Sequence, residues 1–199
     1  MSSARSASEV PPPDRPAGSR LGRRNDPDRR DRIIDACLGV LSREGVAGTS
    51  HRKVAAEAGV PLGAMTYYFD SMDELLLAAF TRFAQTISAR FEQRMATATD
   101  AAAAREAVIA IILEDVFNDD RELVLSHELY TLAARRPAYR SITTAWMKRS
   151  RTALERHFDP ATARVLDALI EGLTIHRALD SQPGDSRDVE LAVTRIVME

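Results

Sequence analysis

The chain has 199 residues, enough for one ordinary domain or for a small domain joined to a larger one. Its hydrophobic content of 45% can fill a core, and its charged residues, 28% and mixed in sign, exclude a disordered polyelectrolyte. A single cysteine, Cys37, excludes an intrachain disulfide and a cysteine-rich metal site. The longest purely apolar run, Ala107 to Leu113, is far short of the ~20 residues that span a bilayer. The N-terminal arginines have no apolar stretch behind them, so the expectation is a cytoplasmic protein without a membrane partner.

The net charge of −2 is unevenly spread: residues 1–70 carry eleven Lys+Arg against nine Asp+Glu, and residues 71–199 carry sixteen against twenty. A basic end on an acidic body suits a polyanion at one pole only. An arginine-rich soluble tail would give the same tilt, so charge alone does not decide.

Residues 1–27 read as a disordered basic arm, with Pro11-Pro12-Pro13, scattered Ser and Arg, and almost nothing apolar. From Asp28 the texture becomes helical: Ile33, Ile34, Cys37, Leu38, Val40 and Leu41 share one broad face, and Gly45 stands where a C-terminal cap belongs. Cys37 is thereby a buried small hydrophobe. Thr49 or Ser50 can cap a short helix from Ser50 to Ala58, with Val54, Ala55 and Ala58 inward. Gly59 and Pro61 end it, the first by a positive φ and the second by blocking continuation. A second short helix spans about Leu62 to Phe69. A fourth, capped by Asp70 or Ser71, carries Leu75, Leu76, Ala79, Phe80 and Phe83 towards Met95.

Beyond residue 100 the pattern stays helical: Ala101 to about Phe117, Glu122 to Arg135, Pro137 towards His157, a helix from the Asp159-Pro160 start signal to about Asp180, and a last one after Pro183-Gly184. No useful stretch alternates at period two. The fold class is all-α with about nine helices: an N-terminal three-helix helix-turn-helix domain joined to a larger helical body.

Two short helices around a Gly-Val turn, with small residues where they cross, describe a helix-turn-helix. The stretch Thr49-Ser50-His51-Arg52-Lys53-Val54-Ala55-Ala56-Glu57-Ala58-Gly59-Val60, then Gly63-Ala64-Met65-Thr66-Tyr67-Tyr68-Phe69 and Glu74-Leu75, closely resembles the DNA-binding domain of the tetracycline-repressor (TetR) family. The resemblance covers about residues 28–85. It implies a DNA-binding domain at 28–85 and a C-terminal effector-binding and dimerisation domain at 86–199. It also implies a repressor, released from a palindromic double-stranded operator by a small-molecule effector, acting as a homodimer without a cofactor.

Carried over by position, the resemblance places His51, Arg52 and Lys53 at DNA from the first helix of the motif. From the second it places Leu62, Gly63, Ala64, Thr66, Tyr67 and Tyr68 there. Phosphate contacts set position and base contacts set sequence, and both kinds are present. Arg52 is the first choice for a polar base-edge contact, while Leu62 and Ala64 suit thymine methyls. Tyr67 could instead pack under the fourth helix. One departure stands out: the family commonly has a phosphate-binding lysine at the start of the fourth helix, and here the residue is Met72. Losing that charge flattens the salt slope by roughly one unit. Arg20, Arg23, Arg24, Arg29 and Arg30 could compensate from the minor groove.

In the C-terminal half, Phe117, Tyr130 and Trp146 are the candidates for an effector pocket suited to a mostly apolar molecule. Each could equally be ordinary core. Leu166, Leu169, Ile170 and Leu173 on one helix, with Val193 and Ile196 on the last, are the candidates for a dimer interface, although packing within one subunit fits the same pattern. Four histidines on separate helices make no metal motif. No catalytic constellation stands out, so an enzyme is not expected. The rival reading is a helical small-molecule-binding protein with weak or no DNA binding.

Overall fold

The computed structural model describes residues 28–116, 119–182 and 184–198, and among them there are nine α-helices and no strand. They are α1 (Arg29–Gly48), α2 (His51–Glu57), α3 (Leu62–Tyr68), α4 (Met72–Ala96), α5 (Ala101–Ala110), α6 (Asp120–Arg135), α7 (Pro137–Leu154), α8 (Pro160–Leu179) and α9 (Ser186–Val197). The basic arm expected over residues 1–27, with Arg20, Arg23 and Arg24, lies outside the described residues, and so does Phe117. Arg29 and Arg30 belong to the first turn of α1, where the Arg30 guanidinium lies 5.1 Å from the centre of the Phe69 ring.

The punctuation expected from the sequence sets the short helices. Gly45 takes φ +67°, breaking the regular helix, and the Thr49 hydroxyl donates to its carbonyl at 2.7 Å. Ser50 caps α2 by accepting from the Lys53 amide, and α2 ends at Glu57 rather than Ala58. Gly59 takes φ +63°, a conformation that costs other residues a Cβ clash. Pro61 then occupies the N-cap of α3. Ser71 accepts from the Glu74 amide at 3.1 Å while the Glu74 carboxylate accepts from the Asp70 amide at 2.6 Å, so the start of α4 is closed from both sides. Asp159 caps α8 through the amides of Ala161 and Thr162 at 2.9 and 3.2 Å. The Thr162 hydroxyl and these amides hold the Asp159 carboxyl below the usual range.

One element departs from the periodic reading. α5 does not run as a regular helix to Phe117 but widens over Ile111–Asp115 into a π-type turn, with the Val116 amide donating to the Ile111 carbonyl at 3.2 Å. The Arg94 guanidinium on α4 grips Asp115 at 2.6 and 2.7 Å and Glu114 at 3.2 Å, pinning the wide turn to α4.

Two apolar cores result. The first joins α1, α2, α3 and the N-terminal half of α4 to Leu125, Leu129 and Ala133 of α6 and Tyr139 of α7. The second joins Phe91 and Met95 of α4 to α5, the end of α7, α8 and α9. α4 threads both, so position 85/86 lies inside a continuous helix and not in a linker. The three-helix head is latched to the body. Buried Tyr139 donates to the Asp73 carboxylate at 2.6 Å, the Arg136 guanidinium meets the same oxygen at 2.6 Å, and Phe80 packs edge-on to the Tyr139 ring. The Tyr139 hydrogen bond, helped by Arg136, holds the Asp73 carboxyl below its ordinary value. Cys37 is fully buried and its thiol is pushed up to about 12 by burial, in keeping with a core residue.

Part of the expected dimer interface is corrected by this packing. Leu166 and Val193 are fully buried within the subunit and Ile170 nearly so, because all three fill the second core. Leu169, Leu173 and Ile196 are half-buried at its edge.

Candidate nucleic-acid interface and effector cavity

Val54, Ala55 and Met65 are buried beneath the crossing of α2 and α3, which leaves the opposite side of α3 in solvent. Leu62 and Tyr67 are 54% and 80% exposed, far beyond what packing would leave for such side chains. Gly63 and Thr66 are exposed as well, and Ala64 is half-buried. The Thr66 hydroxyl donates to the Gly63 carbonyl at 3.2 Å. Tyr67 therefore does not pack under α4; Tyr68 is half-buried against the first core, and the two rings stand edge-on 4.8 Å apart.

On α2, Arg52 is exposed and His51 half-buried. Lys53 is engaged: its ammonium pairs with the Glu44 carboxylate and donates to the Gly48 carbonyl at 2.8 Å. Those contacts turn it towards the end of α1, so Lys53, although exposed, is committed to Glu44 and Gly48, and Arg52 is the stronger α2 candidate for a DNA contact. Met72 packs against the first core, and its position serves the fold instead of a phosphate.

The second site lies deeper. α4, α6, α7 and α8 line a half-open cavity of about 60 Å³, room for a few water molecules. Tyr130 and Trp146 line it, stacked with centroids 6.2 Å apart and 17° between planes. Ile170, expected at the dimer interface, is one of its walls. The sequence reading did not single out Asp167 and Glu171, which stand one turn apart on α8 and both face this cavity. Burial pushes the Asp167 carboxyl up to about 6, against the pull of Arg151, whose Nε lies 3.2 Å away. Burial also pushes the Tyr130 phenol up, with Glu171 close by. The available signal was the stripe Asp167, Ile170, Glu171, Thr174, which puts two carboxylates on an otherwise apolar helical face.

An exposed helix-turn-helix on an all-helical body defines a DNA-binding protein of the helix-turn-helix class. Residues 33–79 match the family described as bacterial regulatory proteins of the tetR family, and residues 98–199 match the tetracyclin repressor-like C-terminal domain. The regulator SCO7518 of Streptomyces coelicolor A3(2) is 51% identical, over 87% of this chain and 100% of that one, with a TM-score of 0.81. The multidrug binding protein EbrR in complex with ethidium is 35% identical over 87% of this chain and 100% of that one, with a TM-score of 0.72. The HTH-type transcriptional regulator BetI of Burkholderia mallei (strain NCTC 10229) is 28% identical over 80% of this chain and 86% of its own length. The chain belongs to the tetracycline-repressor family. It is a DNA-binding transcriptional regulator. No helix among the described residues is long and apolar enough to cross a membrane.

Proposed function

We propose that the chain represses transcription as a homodimer on a palindromic operator and is released by a lipophilic organic cation bound between α4, α6, α7 and α8. Residues 28–85 serve as the DNA-binding part and residues 86–199 as the effector and dimer part, although packing runs through both. At the operator, Arg52, Leu62, Gly63, Ala64 and Thr66 face the major groove, while His51, Tyr67 and Tyr68 approach the backbone. Lys53 acts by holding α2 on α1.

The effector chemistry rests on one observation: two carboxylates, Asp167 and Glu171, face a cavity walled by stacked Tyr130 and Trp146. Aromatic faces and partly buried carboxylates both favour a cation that sheds water readily. EbrR, with ethidium, proflavin and malachite green bound, takes molecules of that chemistry. The cavity as it stands is too small for a drug-sized molecule, for which ~300 Å³ is a lower bound. Entry must therefore spread its walls. Two of those walls, α4 and α7, are the helices latched at the head by Asp73, Tyr139 and Arg136, so spreading them turns α2 and α3. A ligand that binds the spread form better thereby depopulates the DNA-bound one.

Electrophoretic mobility shift on the promoter region of its own gene, with and without ethidium, tests this reading. Retardation that ethidium reverses, and that Arg52→Ala plus Tyr67→Ala abolishes, is the expected result. Binding that ignores both changes would refute it.

The dimer face is the side of α8 left open by the second core: Val165, Leu169, Gly172 and Leu173, continued by Leu191 of α9 and by Met198 just after it. A Cβ on Gly172 would meet nothing within 4 Å inside the subunit, so the space above it is open to a partner. Two heads held ~34–36 Å apart meet successive major grooves. Leu169→Arg combined with Leu173→Arg is expected to give monomers in analytical ultracentrifugation and to weaken operator binding by about 100-fold or more, because each monomer then binds one half-site alone. A variant that still sediments as a dimer would place the interface elsewhere.

A further inference from the structure

We infer that the effector site has two compartments separated by Trp146, and that the effector is an elongated amphiphilic cation that fills both. The inference rests on the effector reading above and extends it to ligand shape. Trp146 borders the inner cavity and also a groove of about 310 Å³ between α4 and α7, so one indole is the wall they share. The inner compartment holds the charge partners, Asp167 and Glu171, but only about 60 Å³. The groove holds the volume. Neither compartment alone supplies both the charge partners and the volume that a long cation needs.

Ser88 on α4 borders the groove, is 1% exposed, and its Oγ has no hydrogen-bond partner among protein groups. A buried hydroxyl without a partner is uncommon in a native fold and calls for an explanation at the site. An acceptor on a bound tail supplies one. The groove also contains Arg149, but its guanidinium is gripped by Glu92 at two points, 2.7 Å each. That pairing cancels the charge, so the groove takes a neutral tail and neither attracts an anion nor repels a cation.

The shared wall is movable. Trp146 is half-buried, stacked on Tyr130 inside and edge-on to Phe83 at 5.8 Å. It also packs against the first core, and a ligand ring or chain can replace these apolar contacts. With the indole swung aside, the head sits at Asp167 and Glu171, the body passes the indole, and the tail lies along Ser88.

Trp146 is the single tryptophan of the chain, so its emission reports on the partition directly. Two probes separate the compartments: hexyltrimethylammonium, and a trimethylammonium with a twelve-atom tail containing one ether oxygen. The long probe is expected to bind about 30-fold or more tighter, as added apolar length in a groove implies, and to shift the emission. Ala145→Phe, on the exposed rim of the groove, is expected to remove most of that advantage and leave the short probe unchanged. Ser88→Ala is expected to weaken only the long probe. A long probe that binds no tighter, or that ignores Ala145→Phe, overturns the two-compartment site while short-probe binding that depends on Asp167 preserves the effector reading. Absence of binding by both probes overturns the two together.

Discussion

Gly63→Ala is expected to lower operator affinity by about 100-fold while leaving the protein as stable as the parent or slightly more so. Gly63 is exposed on α3, has no positive φ, and a Cβ added there would meet nothing within 4 Å. Nothing in the subunit requires a glycine at this place. In an exposed helical position alanine is favoured by roughly 0.5–1 kcal/mol, so the fold alone would select against the residue present. A requirement from outside the subunit explains it: α3 must approach the base edges closely. Holding each recognition helix back by a methyl group would cost ~1.4 kcal/mol per head, a tenfold loss that two heads square. Fluorescence anisotropy with labelled operator gives the affinity and thermal melting gives the stability. Unchanged affinity would remove Gly63 from the interface.

The second large effect is electrostatic. Asp167→Asn combined with Glu171→Gln is expected to reduce ethidium affinity by about 100-fold, since burial leaves a cation with little else to balance it. In the parent protein affinity should also fall as pH drops from 7 to 5. A bound cation favours the ionised Asp167 carboxylate, and with that carboxyl pushed up to about 6, protonation competes with binding below that pH. The limit is tenfold per pH unit for one proton, and the double variant should lose the dependence.

The same group has a stability consequence with a definite sign. The folded protein holds the Asp167 proton more tightly than the unfolded chain, whose carboxyl titrates near ~3.9. Its contribution to stability is full below that value and disappears as pH rises through about 6. Above pH 6 the neutral variant should therefore melt higher than the parent without ligand, and lower than the parent at saturating ethidium. Binding that is flat between pH 5 and 7 would show that Asp167 does not meet the ligand.

These two effects meet through α4 and α7. Both helices line the cavity, and both are fastened at the head end by Asp73, Tyr139 and Arg136. Arg82 adds a further tie from α4 to Asp31 and Asp35 of α1. The head has no flexible linker to absorb a displacement, because its core is completed by Leu125, Leu129 and Tyr139 from the body. On the proposed mechanism, separation of α4 from α7 by a ligand would be transmitted through these contacts to α1, and with it to α2 and α3.

Much of this protein was legible in the sequence, for a reason particular to helices. Caps, positive-φ glycines and the 3.6-residue apolar period act within a turn or two, so Gly45, Ser50, Gly59, Ser71 and Asp159 mark their elements without reference to the rest of the chain. The two short helices at residues 50–69 were legible by the same local rules, and their DNA-binding role by the resemblance of their residues to the tetracycline-repressor family. What an apolar face packs against is not local. Leu166, Ile170 and Val193 were equally fit for a partner or for the subunit's own core, and only the placement of α4, α5 and α9 closes them inside. Lys53 reads as a free cation until the end of α1 brings Glu44 to it. Asp167 and Glu171 have no assigned role in the sequence, and only the placement of α6 and α7 sets them half-buried beside Tyr130 and Trp146. The sequence by itself determined the helices and the exposed reading head. The tertiary structure decided which charges are buried and which faces remain open, because burial is a property of the neighbours and not of the residue.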